Sequence, residues 1–181
     1  MSLSPTQTSA AAQSLLEAEK TGRQIGLLSL AHPDMTMDDA YAVQAELMRL
    51  KVAQGRSIIG WKIGLTSKAM QYALGISTPD SGVLFDDMAF DDGATVPEGR
   101  FIQPRIEAEI AFVTKAPLAG DGITCEDVIA ATDFVAPALE ILDTRIIPKE
   151  PDTGAIRKVT DTISDNAANA GIVLGDERHA I

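Results

Sequence analysis

Cysteine is nearly absent from this chain. Cys125 is the only one in 181 residues, so no intrachain disulfide can form, and a zinc site would have only that thiol with His32 and His179, far apart in sequence, to build on. Positive charge is scarce as well. Fifteen Lys and Arg against 26 Asp and Glu leave a net charge of -11 with no basic cluster to offset it, which repels phosphate backbones and anionic lipid headgroups. Nucleic acid and membrane partners are therefore not expected. No apolar run approaches the length of a membrane span, and Met1-Ser2-Leu3-Ser4-Pro5 lacks the charged and apolar regions of a signal peptide, so a cytoplasmic protein is expected. Aromatic residues are few at 4%, yet a hydrophobic content of 45% is enough for one domain with a substantial core.

What the chain does have is carboxylates in apolar company. In Arg105-Ile106-Glu107-Ala108-Glu109-Ile110-Ala111-Phe112-Val113, strand periodicity sends Ile106, Ala108, Ile110 and Phe112 to one face and Glu107 and Glu109 to the other, about 7 Å apart at the backbone. A solvated strand face carries alternating glutamates routinely, and that reading alone would suffice for this pair. Glu140 changes the balance, because it interrupts the apolar run Phe134-Val135-Ala136-Pro137-Ala138-Leu139-Glu140-Ile141-Leu142, where a lone carboxylate is nearly always paired or ligating. Like charges on a buried sheet face are costly without a cation between them. All-oxygen ligation favours Mg²⁺ or Mn²⁺ over Ca²⁺.

Local signals organise the rest. Residues 6–31, rich in Ala, Leu, Gln and Glu, read as helix interrupted near Gly22 and Gly26. Thr36 to Asp39 resembles a capping box, and Ala40, Val43, Leu47 and Leu50 recur at helical spacing until Gly55. A short strand over 57–64 carries Lys62 among glycines, and a helix is expected from Thr66-Ser67 to near Gly75. Asp80 falls in the turn-like Ser77-Thr78-Pro79-Asp80-Ser81-Gly82, followed by a strand at Val83-Leu84-Phe85. Trp61 is expected in the core. Thr124 and Asp127 suggest another capped helix between the glutamate strands, and a polar tract over 161–169 leads into the apolar Gly171-Ile172-Val173-Leu174. One structural unit is expected, with a helical segment over 1–55 and a β-rich part over 56–181, hence a mixed α+β fold.

Five motifs in order carry a likeness to a known family: Gly60-Trp61-Lys62-Ile63-Gly64-Leu65-Thr66-Ser67, Pro79-Asp80-Ser81-Gly82-Val83-Leu84, Glu107-Ala108-Glu109, Pro137-Ala138-Leu139-Glu140, and Ser164-Asp165-Asn166-Ala167-Ala168-Asn169-Ala170-Gly171. Together they resemble the hydratase and decarboxylase branch of the fumarylacetoacetate hydrolase superfamily. The resemblance implies a mixed β-roll or squashed barrel with N-terminal helices, Mg²⁺ held by Glu107, Glu109 and Glu140, and homo-oligomers. Its members continue beyond the position of Ile181, so the C-terminal strands that close such a barrel are expected to be missing from this chain.

The implied reaction is addition of water to a 2-hydroxydienoate, which ketonises and is then hydrated. In it Lys62 would stabilise negative charge on the substrate carboxylate or enolate oxygen, Asp80 would shuttle a proton, and Ser164 and Asp165 would position the substrate or support the ligands. A distal substrate carboxylate could meet Arg100, Arg105, Arg145 or Arg157. His32 is a further candidate, since hydrolase members activate water with a histidine near the N-terminal part of the fold. Decarboxylation of a 4-oxalocrotonate-type acid and hydrolysis of an acylpyruvate on the same site are alternatives. A non-catalytic subunit that binds a full-length partner is a third reading.

Overall fold

The computed structural model describes residues 2–73 and 75–181. Helix α1 (Pro5–Thr21) starts at Ser4, whose hydroxyl accepts from the Gln7 amide while Gln7 reaches back, and it stops at Gly22 in the left-handed region (φ 66°). A single turn, α2 (Leu28–Ala31), follows. Helix α3 (Met37–Ala53) has the expected capping box, with Thr36 accepting from the Asp39 amide and the Asp39 carboxylate accepting from Thr36. Asp39 also accepts from the Ser2 and Leu3 amides, and these bonds outweigh burial to hold its carboxyl well below the usual range.

Strand β1 (Ile58–Gly64) pairs antiparallel with β2 (Asp80–Phe85), and helix α4 (Lys68–Ala73) lies in the connection between them. The end expected for α4 near Gly75 cannot be traced through Leu74, which lies outside the described residues. A 3-10 turn over 86–88 then leads to β3 (Ala89–Phe90) and on to β4 (Arg105–Thr114), α5 (Cys125–Ala131), β5 (Thr132–Leu142), α6 (Val159–Ser164) and β6 (Asn169–Leu174). Strands 3 to 6 form one sheet in the order β3-β6-β5-β4, parallel between β3 and β6 and antiparallel elsewhere. The architecture is the α+β mixture anticipated, with open sheets.

Ala11, Ala12 and Leu15 of α1 pack with Val43 and Leu47 of α3, and Val83 and Phe85 of β2, Met88 and Ile146 complete this cluster. The helices therefore cover the hairpin by burying the apolar end of β2. Asp80 differs from expectation in being the first residue of β2 rather than part of a loop, because its backbone pairs with Gly64.

One face assignment is corrected, that of Trp61. Along β1 the inward positions are Gly60, Lys62 and Gly64, while Trp61 is 67% exposed and not in the core. On β4, an edge strand of the described sheet, Ile106, Ile110 and Phe112 are all more than half exposed. Alternation is present in both strands: the glycines and the lysine take the less exposed side of β1, and Glu107 and Glu109 share the β4 face opposite Ile106, Ile110 and Phe112.

Candidate metal centre

Register fixes the carboxylates. Glu107 lies directly across from Glu140 in the β4–β5 ladder, and Glu109 across from Ala138, so all three side chains emerge from one face of the sheet. One oxygen from each lies within 4.8 Å of the others. Glu140 is buried and Glu107 and Glu109 are exposed, so the cluster has a dry floor and a wet rim. Cations bond carboxylate oxygens at roughly 2.0–2.6 Å, which lets three oxygens this close share one ion.

Lys62 reaches the same place from the other sheet. Its Nζ stands 3.5 Å from Glu140 Oε1, with both side chains largely buried. At that length it is an ion-pair neighbour, and Oε1 accepts no hydrogen bond among the described residues. Burial raises the Glu140 carboxyl above its ordinary value, Lys62 opposes the rise, and Glu107 and Glu109 reinforce it. A buried carboxylate oxygen without a donor, beside two like charges, is what a hard divalent cation would satisfy. The donor set therefore fits Mg²⁺ or Mn²⁺.

Asp80 completes the cluster. A Cβ on Gly64 would collide with the Asp80 carboxylate and lie 3.0 Å from Lys62 Nζ, so glycine at 64 lets both charged groups crowd beside the strand. Burial pushes the Asp80 carboxyl up, Lys62 pulls it down and Glu107 raises it further. The Gly64 and Asp80 amides favour the carboxylate, but Asp80 Oδ1 lacks a partner with hydrogen-bond geometry.

Ser164 and Asp165 sit differently from the other candidates. Both are buried: the Ser164 hydroxyl donates to Thr160 O, and Asp165 accepts from Arg145 Nε at 2.5 Å and from the Arg145 amide at 2.8 Å. Arg145 also donates to the carbonyls of Asp165 and Asn169 and is buried, so most of its donors are committed inside the fold. Arg100 is engaged with Asp87, and Arg157 donates to Ile146 O. Arg105 is exposed on β4 two residues before Glu107, on the same strand face. His32 ends α2 and makes no side-chain hydrogen bond among the described residues.

Sequence reasoning missed the turn after Asp165. Asn166, Ala167 and Ala168 all lie in the left-handed region, at φ 53°, 52° and 59°. Such backbone costs roughly 1–2 kcal/mol per non-glycine residue, so bonds from neighbours must hold it. The polar tract gave only one signal, two asparagines three apart.

A β-hairpin thus brings a lysine and an aspartate to three glutamates on a second sheet, an acidic cluster with the geometry to hold a metal ion. No family model matches the chain. It is 57% identical over 164 residues to 2-oxo-hept-4-ene-1,7-dioate hydratase of Escherichia coli, spanning 91% of this chain and 61% of that protein. It is 43% identical over 173 residues to 2-keto-4-pentenoate hydratase of Paraburkholderia xenovorans (strain LB400), spanning 96% and 62%. The solved 4-oxalocrotonate decarboxylase from Pseudomonas putida G7, complexed with magnesium and adipate, superposes with a TM-score of 0.88 at 39% identity, covering 98% of this chain and 65% of that one. The same enzyme has been solved with calcium and acetate. Over more than nine-tenths of its length the chain is similar to enzymes of the hydratase and decarboxylase branch of the fumarylacetoacetate hydrolase superfamily, and it spans just over three-fifths of the length of the curated relatives it matches.

Proposed function

We propose that this protein is a Mg²⁺-dependent hydro-lyase of aromatic catabolism that adds water to a 2-hydroxydienoate or 2-oxoalkenoate, with 2-oxohept-4-ene-1,7-dioate hydratase as the favoured activity. The observation that carries the reading is the convergence of Glu107, Glu109 and Glu140 from one sheet with Lys62 from the other. The 57% identity to a hydratase supports it over decarboxylation, which remains the second reading because the decarboxylase shares the fold.

Glu107, Glu109 and Glu140 would hold Mg²⁺, and Mn²⁺ would suit the same oxygens. Bound there, the cation acts as a Lewis acid that polarises a 2-oxo group. Lys62 places an ammonium beside the cluster, where it stabilises negative charge on the substrate carboxylate or enolate oxygen as the enol proton leaves. Asp80, with a raised carboxyl and an unpartnered oxygen, holds and returns a proton during ketonisation. Water then adds its oxygen to the carbon β to the 2-oxo group and a proton to the α carbon. Arg105, exposed on the glutamate face of β4, would meet a distal carboxylate. Ser164 and Asp165 support the site through the turn that follows them, and the exposed Ile106, Ile110 and Phe112 suit burial against a second copy in a homo-oligomer. A monomer by light scattering across a broad concentration range would sink that last point.

The test is decay of the dienol absorbance of a 2-hydroxydienoate, followed with Mg²⁺ and with chelator. Metal-dependent decay with formation of the 4-hydroxy-2-oxo acid is expected. No turnover with Mg²⁺ would overturn the reading, and release of CO₂ instead would establish the decarboxylase.

A further inference from the structure

The β1–β2 hairpin carries Lys62 and Asp80, and the four-stranded sheet carries the glutamates. Something must fix one against the other. The edge of β2 away from β1 is met by amide side chains. Asn166 Oδ1 accepts from the Val83 amide at 2.7 Å and its Nδ2 donates to the Val83 carbonyl at 2.9 Å, reproducing the pair of bonds that a neighbouring strand would make. Asn169 Nδ2 donates to the same carbonyl at 3.0 Å. Gln44 Nε2 donates to Ser81 O at 2.8 Å and to Ile163 O at 3.1 Å.

We propose that Asn166 is a positioning residue whose carboxamide joins the hairpin to the main sheet and so sets where Lys62 and Asp80 stand relative to Glu107, Glu109 and Glu140. The linkage is short on both sides. Val83 follows Gly82, the register partner of Lys62, and a Cβ on Gly82 would stand 2.6 Å from Asn166 O, so the turn and the strand touch at backbone distance. On the other side Asn169 opens β6 and pairs with Leu142, two residues beyond Glu140 on β5. The bland reading is that asparagine tolerates positive φ better than most residues. Ala167 and Ala168 hold the same conformation with no polar side chain, so tolerance alone does not account for a buried carboxamide with both ends bonded to Val83.

Asn166→Gly separates the two readings, because glycine accepts the left-handed backbone and lacks the amide. The inference rests on the hydratase reading for one of its readouts only. Expected for the variant are a cooperative melt, Mn²⁺ affinity like that of the parent, faster hydrogen exchange at the Val83 amide, and kcat lower by on the order of a hundredfold at unchanged KM. Parent-like exchange and parent-like kcat would overturn the proposal and leave Asn166 as a conformational choice. Should Asn166→Gly fail to fold, Asn166→Asp decides: it keeps an acceptor for the Val83 amide and sets a charge against the Val83 carbonyl, and parent-like kcat and exchange in it would overturn the proposal. If neither variant folds, the role is structural and the proposal fails. If the parent itself turns over no dienol, the hydratase reading falls separately, and bound Mn²⁺ still reports geometry through relaxation of the Gly60 and Gly64 amides. A changed separation in the variant supports positioning, and an unchanged one refutes it.

Discussion

Replacing Lys62 with Met tests whether one ammonium balances the buried glutamate. Nζ and Glu140 Oε1 are 3.5 Å apart, with side chains only 13% and 9% exposed. At an effective dielectric constant near 20, the attraction at that distance is about 5 kcal/mol gross. Desolvation and side-chain ordering offset much of it, and charged contacts of this kind net about 1.5–3 kcal/mol. For a chain of this size each kcal/mol moves the melting temperature by roughly 2–4 °C, so Lys62→Met without metal should melt about 3–12 °C lower at pH 7. The pH dependence has a definite sign. Burial raises the folded-state Glu140 carboxyl, so the stability tied to it is complete below the unfolded value of 4.5 and is lost as pH rises through the folded value. Removing Lys62 raises the folded value further. The gap between variant and parent should therefore be small in acid and widen toward neutrality, and saturating Mg²⁺ should narrow it by supplying the missing countercharge. Calorimetry from pH 4 to 7, with and without Mg²⁺, reads all of this. A gap that is flat with pH, or widest in acid, would refute the coupling. Turnover of the dienol should fall by roughly a hundredfold or more even where the fold holds.

The glutamate rim can be tested by Glu107→Gln, which should weaken Mn²⁺ in a calorimetric titration while leaving the metal-free melt unchanged or slightly higher, since a like charge beside Glu140 is removed; unchanged affinity would count against Glu107 as a ligand. Parent Mn²⁺ affinity should also climb as pH rises above the ordinary glutamate value of 4.5, because a carboxyl raised by burial must lose its proton to ligate. Arg145→Met should be the most destabilising of these changes, since it strands Asp165 as a buried charge: about 3–5 kcal/mol, or a melting loss of roughly 6–20 °C, with a loss below about 1 kcal/mol excluding the buried pair as a structural element.

The helices were legible because their signals are local. Thr36 with Asp39 and Thr124 with Asp127 form the capping boxes their spacing announced, and Gly22 ends α1 in the left-handed conformation that glycine supplies. The glutamate strands were legible by period, and Glu140 by its unlikely company. Asp165 and Arg145 were not. A buried ion pair is formed by residues 20 apart in sequence, and nothing local distinguishes an aspartate that will meet an arginine in the core from one that will cap a turn. The left-handed turn at 166–168 escaped for the same reason, because two of its residues are alanines, which carry no sequence mark of positive φ.

The error of face at Trp61 has an identifiable cause. Strand alternation says which residues share a side, and the usual inference that the apolar side is the inner one assumes that burial of apolar area decides orientation. On β1 that inference placed Trp61 inside, yet Gly60, Lys62 and Gly64 face inward. A buried lysine is tolerable only beside carboxylates, and buried carboxylates only beside cations, so the two sheets settle their orientation together: Lys62 turns in because Glu140 does. Neither strand carries that information alone. The rule that apolar residues turn inward fails here on β1, which delivers charge to the site, while β2, whose Val83 and Phe85 end packs on the helices, obeys it. Such a local reversal, lysine inward and tryptophan outward on a strand flanked by glycines, is thus evidence for the site in its own right, and it predicts that Trp61→Lys should cost less stability than Lys62→Met.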